Sequence, residues 1–237
     1  MGDLTGLLAF GPDGWGDEIA AGTWLTVRLA LVTLPFGLVL GFLIALAKNS
    51  SEPSLRAAGH IFTTLFRGLP ELLTLFIVYY GGQILFQKLW AVFFDSYVEV
   101  SGFVAGVIAL GLVFAAFSSE VFLSAFKGIT IGQYEAGYAL GLSRTKTLVL
   151  VIIPQLIRLA LPGLSNNWME LLKGTSLVSV IALDDLLRRI NIVVGNTKEP
   201  FFFFFVACMI YLALSILSSI GLGAIDRWTS RGEEKRS

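Results

Sequence analysis

Besides Arg28, which can extend to the interface from near the outer end of its span, five charged residues stand within otherwise apolar stretches of this sequence. Arg67 and Glu71 are four residues apart and Glu170 and Lys173 are three apart, so each pair is predicted to share one helix face and to form an ion pair. Glu120 is the fifth. A charge at the centre of a bilayer costs at least roughly 2.5 to 3.5 kcal/mol, so these side chains should face protein or water. We interpret them as candidates for a translocation path or gate, with a structural role as the alternative.

The sequence offers little for covalent or metal chemistry. His60 is the sole histidine and Cys208 the sole cysteine, so neither a disulfide within the chain nor a His- or Cys-rich metal site is predicted. We therefore predict no catalytic residue and no metal ligand. The phosphate-binding pattern GxxxxGK[ST] is also absent, since the nearest string, at residues 173–176, lacks the upstream glycine. ATP hydrolysis would have to take place on another chain.

The composition is that of an integral membrane protein. Of 237 residues, 55% are hydrophobic and 14% are charged, against roughly 25% charged in soluble domains. The mean hydropathy is +0.78. Lys and Arg balance Asp and Glu at 17 each, which argues against nucleic-acid binding because that function needs a basic surface.

Apolar runs long enough to cross a bilayer predict an all-α fold with five transmembrane helices. A single membrane domain, residues 23–225, is expected between an N-terminal tail, 1–22, and a C-terminal tail, 226–237. The spans are predicted at about 23–47, 61–86, 100–124, 160–183 and 200–225. One long connection, 125–159, lies between the third and fourth spans.

The distribution of basic residues predicts the orientation. Ten Lys and Arg fall on the side of the long connection and the C-terminus, and four fall on the other side. The ten are Lys48, Arg56, Lys127, Arg144, Lys146, Arg158, Arg227, Arg231, Lys235 and Arg236, and the four are Lys88, Arg188, Arg189 and Lys198. We therefore expect the C-terminus in the cytoplasm and the N-terminus outside.

The long connection reads as a helix, a turn and a second helix. Tyr134, Tyr138 and Leu142 recur at four-residue spacing and predict one apolar stripe. Gly141 marks a turn, and the second helix is expected from residue 144 to 153, with Pro154 as its end or a kink. Such a surface either meets a partner protein or rests on lipid as an amphipathic hairpin.

This connection resembles the EAA motif of ABC importer permeases. Glu135, Ala136 and Gly137 are followed at the family spacing by Gly141, and Pro154 closes a Val-x-Ile-Pro string. Three positions depart from the motif: Gly137 replaces Ala, and residues 151 and 153 are Val and Ile in place of Ile and Leu. The glycine is expected to loosen the first helix by up to about 1 kcal/mol relative to Ala.

Two further stretches resemble the polar and basic amino acid branch of that family, which handles histidine, arginine, lysine, ornithine and opines. They are Arg-Gly-Leu-Pro-Glu at 67–71, and Ser-Asn-Asn-Trp at 165–168 with Leu-Lys-Gly-Thr-Ser-Leu at 172–177. The resemblance covers about 22–228. It implies a MetI-like type I importer fold, in which the connection is a coupling helix that docks on an ATPase, with Arg144 and Lys146 as contact candidates.

The same resemblance implies an assembly in a bacterial inner membrane. A second permease, identical or paralogous, would pair with this chain, two cytoplasmic subunits would bind ATP with magnesium, and an extracytoplasmic binding protein would deliver the substrate. Glu170 is a candidate for attracting a cationic substrate. The docking candidates for the binding protein are Asp184, Asp185, Arg188 and Arg189, although a solvated loop explains the same residues.

Two other function classes compete with this interpretation. An ion-gradient-driven secondary transporter would show an inverted repeat with broken helices, and no convincing repeat relates the two halves. A membrane-embedded enzyme would need converging titratable groups with a nucleophile or a metal, which the single histidine and single cysteine do not supply.

Overall fold

The fold was derived from a computed structural model. The structure describes residues 6–12, 14–94, 98–181 and 183–230, without the side chains of Trp228 and Ser230. The outermost parts of the two predicted tails, 1–5 and 231–237, lie outside the described residues. The described part of the chain is helical and contains no strand, which confirms the predicted all-α class.

Within the described ranges, eight helices, α1 to α8, follow a short 3-10 turn at Gly6–Leu8. They are α1 Gly16–Lys48, α2 Pro53–Gly68, α3 Glu71–Trp90, α4 Gly102–Gly128, α5 Ile131–Ala139, α6 Arg144–Gly174, α7 Leu186–Thr197 and α8 Pro200–Ser230. A 3-10 segment, Thr175–Ile181, extends α6. Five of these helical stretches, which are α1, α3, α4, α6 with its extension, and α8, are long and apolar enough to span a membrane. That number confirms the prediction.

The predicted second span, 61–86, is wrong in its placement. The chain breaks at Leu69 and Pro70, so α2 ends at Gly68 and the spanning helix begins at Glu71. The cause is local, because a residue before proline is driven out of the α region, and Leu69 is extended at φ −87° and ψ 142°. Helix α2 is instead a separate amphipathic helix packed against α1 and α4.

Of the two outcomes predicted at Pro154, an end of the helix or a kink, the structure rules out the end. Helix α6 continues through this residue to Gly174. A π turn at Leu148–Ile152 stands directly before it. Proline lacks an amide N–H and its ring crowds the carbonyl four residues earlier, and a wider turn relieves both problems.

Three apolar clusters hold the helices together. The central cluster joins α1, α3, α4 and α6 through Leu29, Leu75, Leu110, Phe114 and Leu171. A second cluster, around Phe122, Ile152 and Leu156, lies where α5 packs, and we call this the hairpin end of the molecule. A third, around Ile19, Ile190 and Phe203, joins α1, α7 and α8 at the opposite end, which we call the α7 end.

Candidate functional site

A cavity of about 290 Å³ opens between α3, α4 and α6. This volume lies at the small end of the range of roughly 300 to 1,000 Å³ that is typical of ligand pockets. Its walls are apolar on α4 and polar on α6. The lining residues are Glu71, Leu110, Val113, Phe114, Phe117, Asn166, Asn167, Glu170, Leu171 and Gly174. The cavity therefore combines an aromatic wall with two carboxylates and two carboxamides.

Glu71 and Glu170 face this cavity from two different helices. Glu71 is half-buried at the first position of α3 and lies close enough to Glu170 for the two charges to interact. Glu170 sits at the exposed edge, and its Oε1 lies 2.8 Å from the Nζ of Lys173, as the spacing predicted. Two carboxylates and one ammonium leave the rim with one negative charge in excess, which favours a cation.

The predicted ion pair between Arg67 and Glu71 is wrong. The break at Pro70 places the two residues on different helices, so the four-residue spacing no longer brings them to one face. Arg67 instead lies 3.3 Å from the Oε1 of Glu120 on α4. Its guanidinium also stacks over the ring of Phe117, 5.3 Å from the ring centre, within the limit of about 6 Å for cation–π contacts.

Lys48 completes a cluster of charges with Glu120 and Arg67. Its side chain is fully buried, and its Nζ donates a hydrogen bond of 2.7 Å to Glu120. The cluster joins α1, α2 and α4 at the hairpin end. Sequence reasoning missed this role, because Lys48 looked like an ordinary charge just beyond the first span. No local pattern relates it to Glu120, which lies 72 positions further along the chain.

The hairpin, residues 131–147, carries the EAA-like motif. Helix α5 ends in a Schellman motif: Leu142 N–H donates to the Gly137 carbonyl at 3.1 Å and Gly141 N–H donates to the Tyr138 carbonyl at 2.9 Å. Gly141 has φ +76°, a conformation that side chains with a Cβ disfavour. The Ser143 hydroxyl then accepts a hydrogen bond from Lys146 N–H and caps α6.

Gly137 lies where the two arms of the hairpin touch. A Cβ at this position would stand 2.4 Å from Cγ2 and 2.8 Å from Oγ1 of Thr147. The departure from the Ala of the motif therefore has a packing reason, since the Thr147 side chain fills the space. The expectation that glycine merely loosens the helix missed this contact.

A second contact ties the hairpin to the fourth span. The Gln155 amide donates to the side chain of Gln133 at 3.0 Å and to the carbonyl of Val151 at 2.9 Å. Helix α5 is thereby linked to α6, which also carries Glu170. The hydrogen bond therefore connects α5 to the helix that lines the cavity.

The outward surface of the hairpin is free for contact. Glu135, Ala136, Arg144 and Lys146 are exposed, and so are the apolar side chains of Ile131, Tyr138 and Leu140. Tyr134 instead packs inward against the cluster at the hairpin end, so the predicted stripe is divided between inside and outside. An exposed apolar surface with flanking charges is typical of a protein interface.

The acidic and basic residues at the α7 end have separate roles. Asp185 is fully buried and caps α7 by accepting hydrogen bonds from the N–H groups of Leu187 and Arg188. Burial raises the pKa of its carboxyl to about 6, although those two hydrogen bonds lower it. Arg189 donates to Glu18 of α1 and, at 2.9 Å, to Asp184. Of the four predicted docking residues, Asp184 and Arg188 are exposed.

The comparisons with known proteins agree with this architecture. The family model described as "binding-protein-dependent transport system inner membrane component" matches residues 37–231. The chain is 41% identical to the nopaline transport system permease protein NocQ of Agrobacterium fabrum, over 97% of this chain and 98% of the relative. It is 38% identical to the arginine ABC transporter permease protein ArtQ of Haemophilus influenzae, over 88% and 92%.

A solved structure is also similar over most of the chain. It is described as an amino acid ABC transporter with histidines, and it superposes with a TM-score of 0.76 at 28% identity, covering 90% of this chain and 94% of the solved chain.

Proposed function

The chain belongs to the family of binding-protein-dependent transport system inner membrane components, and we propose that it carries a cationic amino acid or an opine. As a member of this family it is a multi-pass permease subunit of an ABC importer. It is a transport component that works with a binding protein and with an ATPase on a separate subunit. The family assignment favours this function over the ion-gradient-driven carrier.

The observation that carries the proposed cargo is the placement of two carboxylates in one small cavity. Glu71 and Glu170 supply the negative charge for a guanidinium or an ammonium. The amides of Asn166 and Asn167 can donate hydrogen bonds to a substrate carboxylate. A charged side chain within a membrane segment is costly to insert, so its presence there points to a function. The names of the similar proteins, which include nopaline, arginine and histidines, fit the same chemistry.

The hairpin would serve as the contact to the ATPase. Its exposed residues Glu135, Ala136, Arg144 and Lys146 would meet the ATP-binding subunit, which would hold ATP with magnesium. Two such subunits are expected, one for each permease. Closure of the ATPase dimer would push the hairpin, and the bond between Gln133 and Gln155 would pass that motion to α6 and Glu170.

A second permease, identical or paralogous, would complete the path, because one bundle of five spans leaves the cavity open at its edge. Helix α8 presents many apolar side chains to its surroundings, among them Phe201, Phe205 and Leu217, which suit lipid or a second permease. The hairpin end would face the cytoplasm and the N-terminus the outside. Asp184 and Arg188 at the α7 end would then meet the binding protein.

The decisive experiment is arginine uptake into proteoliposomes that contain the complete importer. Glu170→Gln and Glu71→Gln should each lower the uptake of arginine, by roughly tenfold for every 1.4 kcal/mol of lost attraction. Glu52→Gln is the matched control, because Glu52 is exposed before α2 and away from the cavity. Assembly is checked by co-purification of the ATPase. Normal uptake in both cavity variants would rule out the carboxylates as the cation site.

A further inference from the structure

We infer that Glu120 forms a second cation site, on the hairpin side of the cavity, and that Arg67 occupies this site until a cationic substrate displaces it. The inference rests on the proposed function, because it assumes that the cargo carries a guanidinium or an ammonium. It assigns to the Arg67–Glu120 pair a role in release, beyond the initial binding at Glu71 and Glu170.

A second groove lies further along the same two helices. The cavity is lined by residues 110–117 of α4 and 166–174 of α6. A groove of about 390 Å³ is lined by residues 120–128 of α4 and by Leu159 and Gly163 of α6. As residue numbers rise on α4 they fall on α6, so the two spaces follow one another toward the hairpin end.

Glu120 stands at the junction of the two spaces. It lines the groove, and it follows Phe117, which lines the cavity, by three residues on one helix. At about 1.5 Å of rise per residue these two side chains are less than one turn apart and share a face. A cation that leaves the cavity along Phe117 therefore meets Glu120 next.

Arg67 already shows how a guanidinium sits at this junction. Its guanidinium lies 5.3 Å from the centre of the Phe117 ring and 3.3 Å from the Glu120 carboxylate. An aromatic face and a carboxylate are the two partners that a guanidinium prefers. A substrate with the same group can make the same two contacts in its place.

The two cations on Glu120 differ in how easily they can leave. Lys48 is fully buried, whereas the side chains of Arg67 and Glu120 are 45% and 35% exposed. Breaking a buried pair leaves an uncompensated charge, but an exposed pair contributes little net free energy. Lys48 thus holds Glu120 in place, and Arg67 is the partner that can be exchanged. When Arg67 returns, it expels the substrate toward the groove and blocks its way back.

The test measures arginine binding to the purified permease–ATPase complex by equilibrium dialysis with radiolabelled arginine, in the absence of the binding protein. The wild-type complex should show the cavity site and a weaker second site. Arg67→Ala should tighten the second site by about fivefold, which is the effect of an exposed competing ion pair. The double variant Arg67→Ala/Glu120→Gln should lose it. Arg56→Ala, which removes an exposed cation from the same helix, should leave both sites unchanged.

The outcomes separate this inference from the proposed cargo. If Arg67→Ala keeps the cavity site but shows no tighter second site, the displacement of Arg67 by substrate is refuted and the proposed cargo is not affected. The absence of saturable arginine binding in the wild type would refute the proposed cargo as well. Melting temperatures of the complexes show whether the variants are folded, and Arg67→Gln removes the same charge with a longer side chain should the alanine variant unfold.

Discussion

The contact between Gly137 and Thr147 predicts that the alanine found in the family motif is unfavourable in this chain. In Gly137→Ala the new methyl carbon would stand 2.4 Å from Cγ2 of Thr147, against roughly 3.5 to 4.0 Å for carbon atoms in contact. Thr147 is fully buried, and its β-branched side chain has few alternative rotamers. The two arms of the hairpin would therefore have to separate by more than about 1 Å.

Two opposing effects determine how much Gly137→Ala changes the stability of the hairpin. Alanine favours the helix by about 1 kcal/mol over glycine, and overpacking costs about 1 to 3 kcal/mol. The single variant should thus range from neutral to about 2 kcal/mol less stable. Thr147→Ala removes both clashing atoms, and the Oγ1 that it deletes is buried without a hydrogen-bond partner among the described residues. The double variant Gly137→Ala/Thr147→Ala should recover the loss, with a coupling free energy of about 1 to 3 kcal/mol.

Hydrogen exchange of the hairpin amides measures this coupling locally. Each 1.4 kcal/mol of lost stability should accelerate exchange roughly tenfold where exchange proceeds by local opening. ATP hydrolysis stimulated by the binding protein would report whether the looser hairpin still couples to transport. Additive effects of the two substitutions, or slower exchange in Gly137→Ala alone, would refute the packing argument.

Two further predictions follow from the turn and from the α7 end. Gly141→Ala should destabilise the hairpin by about 1 to 2 kcal/mol, and Gly141→Asn by less. The reason is the backbone, since the position has φ +76° and open space around it. Equal rates of hydrogen exchange in both variants and in the wild type would contradict this prediction. The folded-state pKa of Asp185 is raised from 3.8 to about 6, so its contribution of about 3 kcal/mol is complete below pH 3.8 and is lost as the pH rises through about 6. Asp185→Asn keeps an acceptor for the cap and should remove this pH dependence from the melting temperature. If the melting temperatures of variant and wild type change with pH in parallel, Asp185 is not the source of the pH dependence.

Local patterns predicted much of this protein. Apolar runs of about twenty residues can satisfy their backbone in lipid only as helices, so the class and the number of five candidate spans followed directly from hydropathy. The pair formed by Glu170 and Lys173 followed from helical spacing within an unbroken helix. The turn at Gly141 followed from the preference of glycine for positive φ.

Other features depended on local exceptions that a regular pattern conceals. The break at Leu69 and Pro70 divides one apolar run into two helices and cancels the predicted pairing of Arg67 with Glu71. The continuation of α6 through Pro154 depends on the π turn before it. A proline can either end a helix or be accommodated within a distorted one, and packing with neighbouring helices selects between these two outcomes.

The sequence alone thus determined what interacts along a single helix, because periodicity is a local property. Only the tertiary structure decided what meets across helices: Glu71 with Glu170 around one cavity, and Lys48 with Glu120, 72 positions away. It also explained Gly137, where a Cβ would meet the side chain of Thr147 on the other arm of the hairpin. Such contacts depend on helix rotation and helix packing, which no single segment encodes by itself.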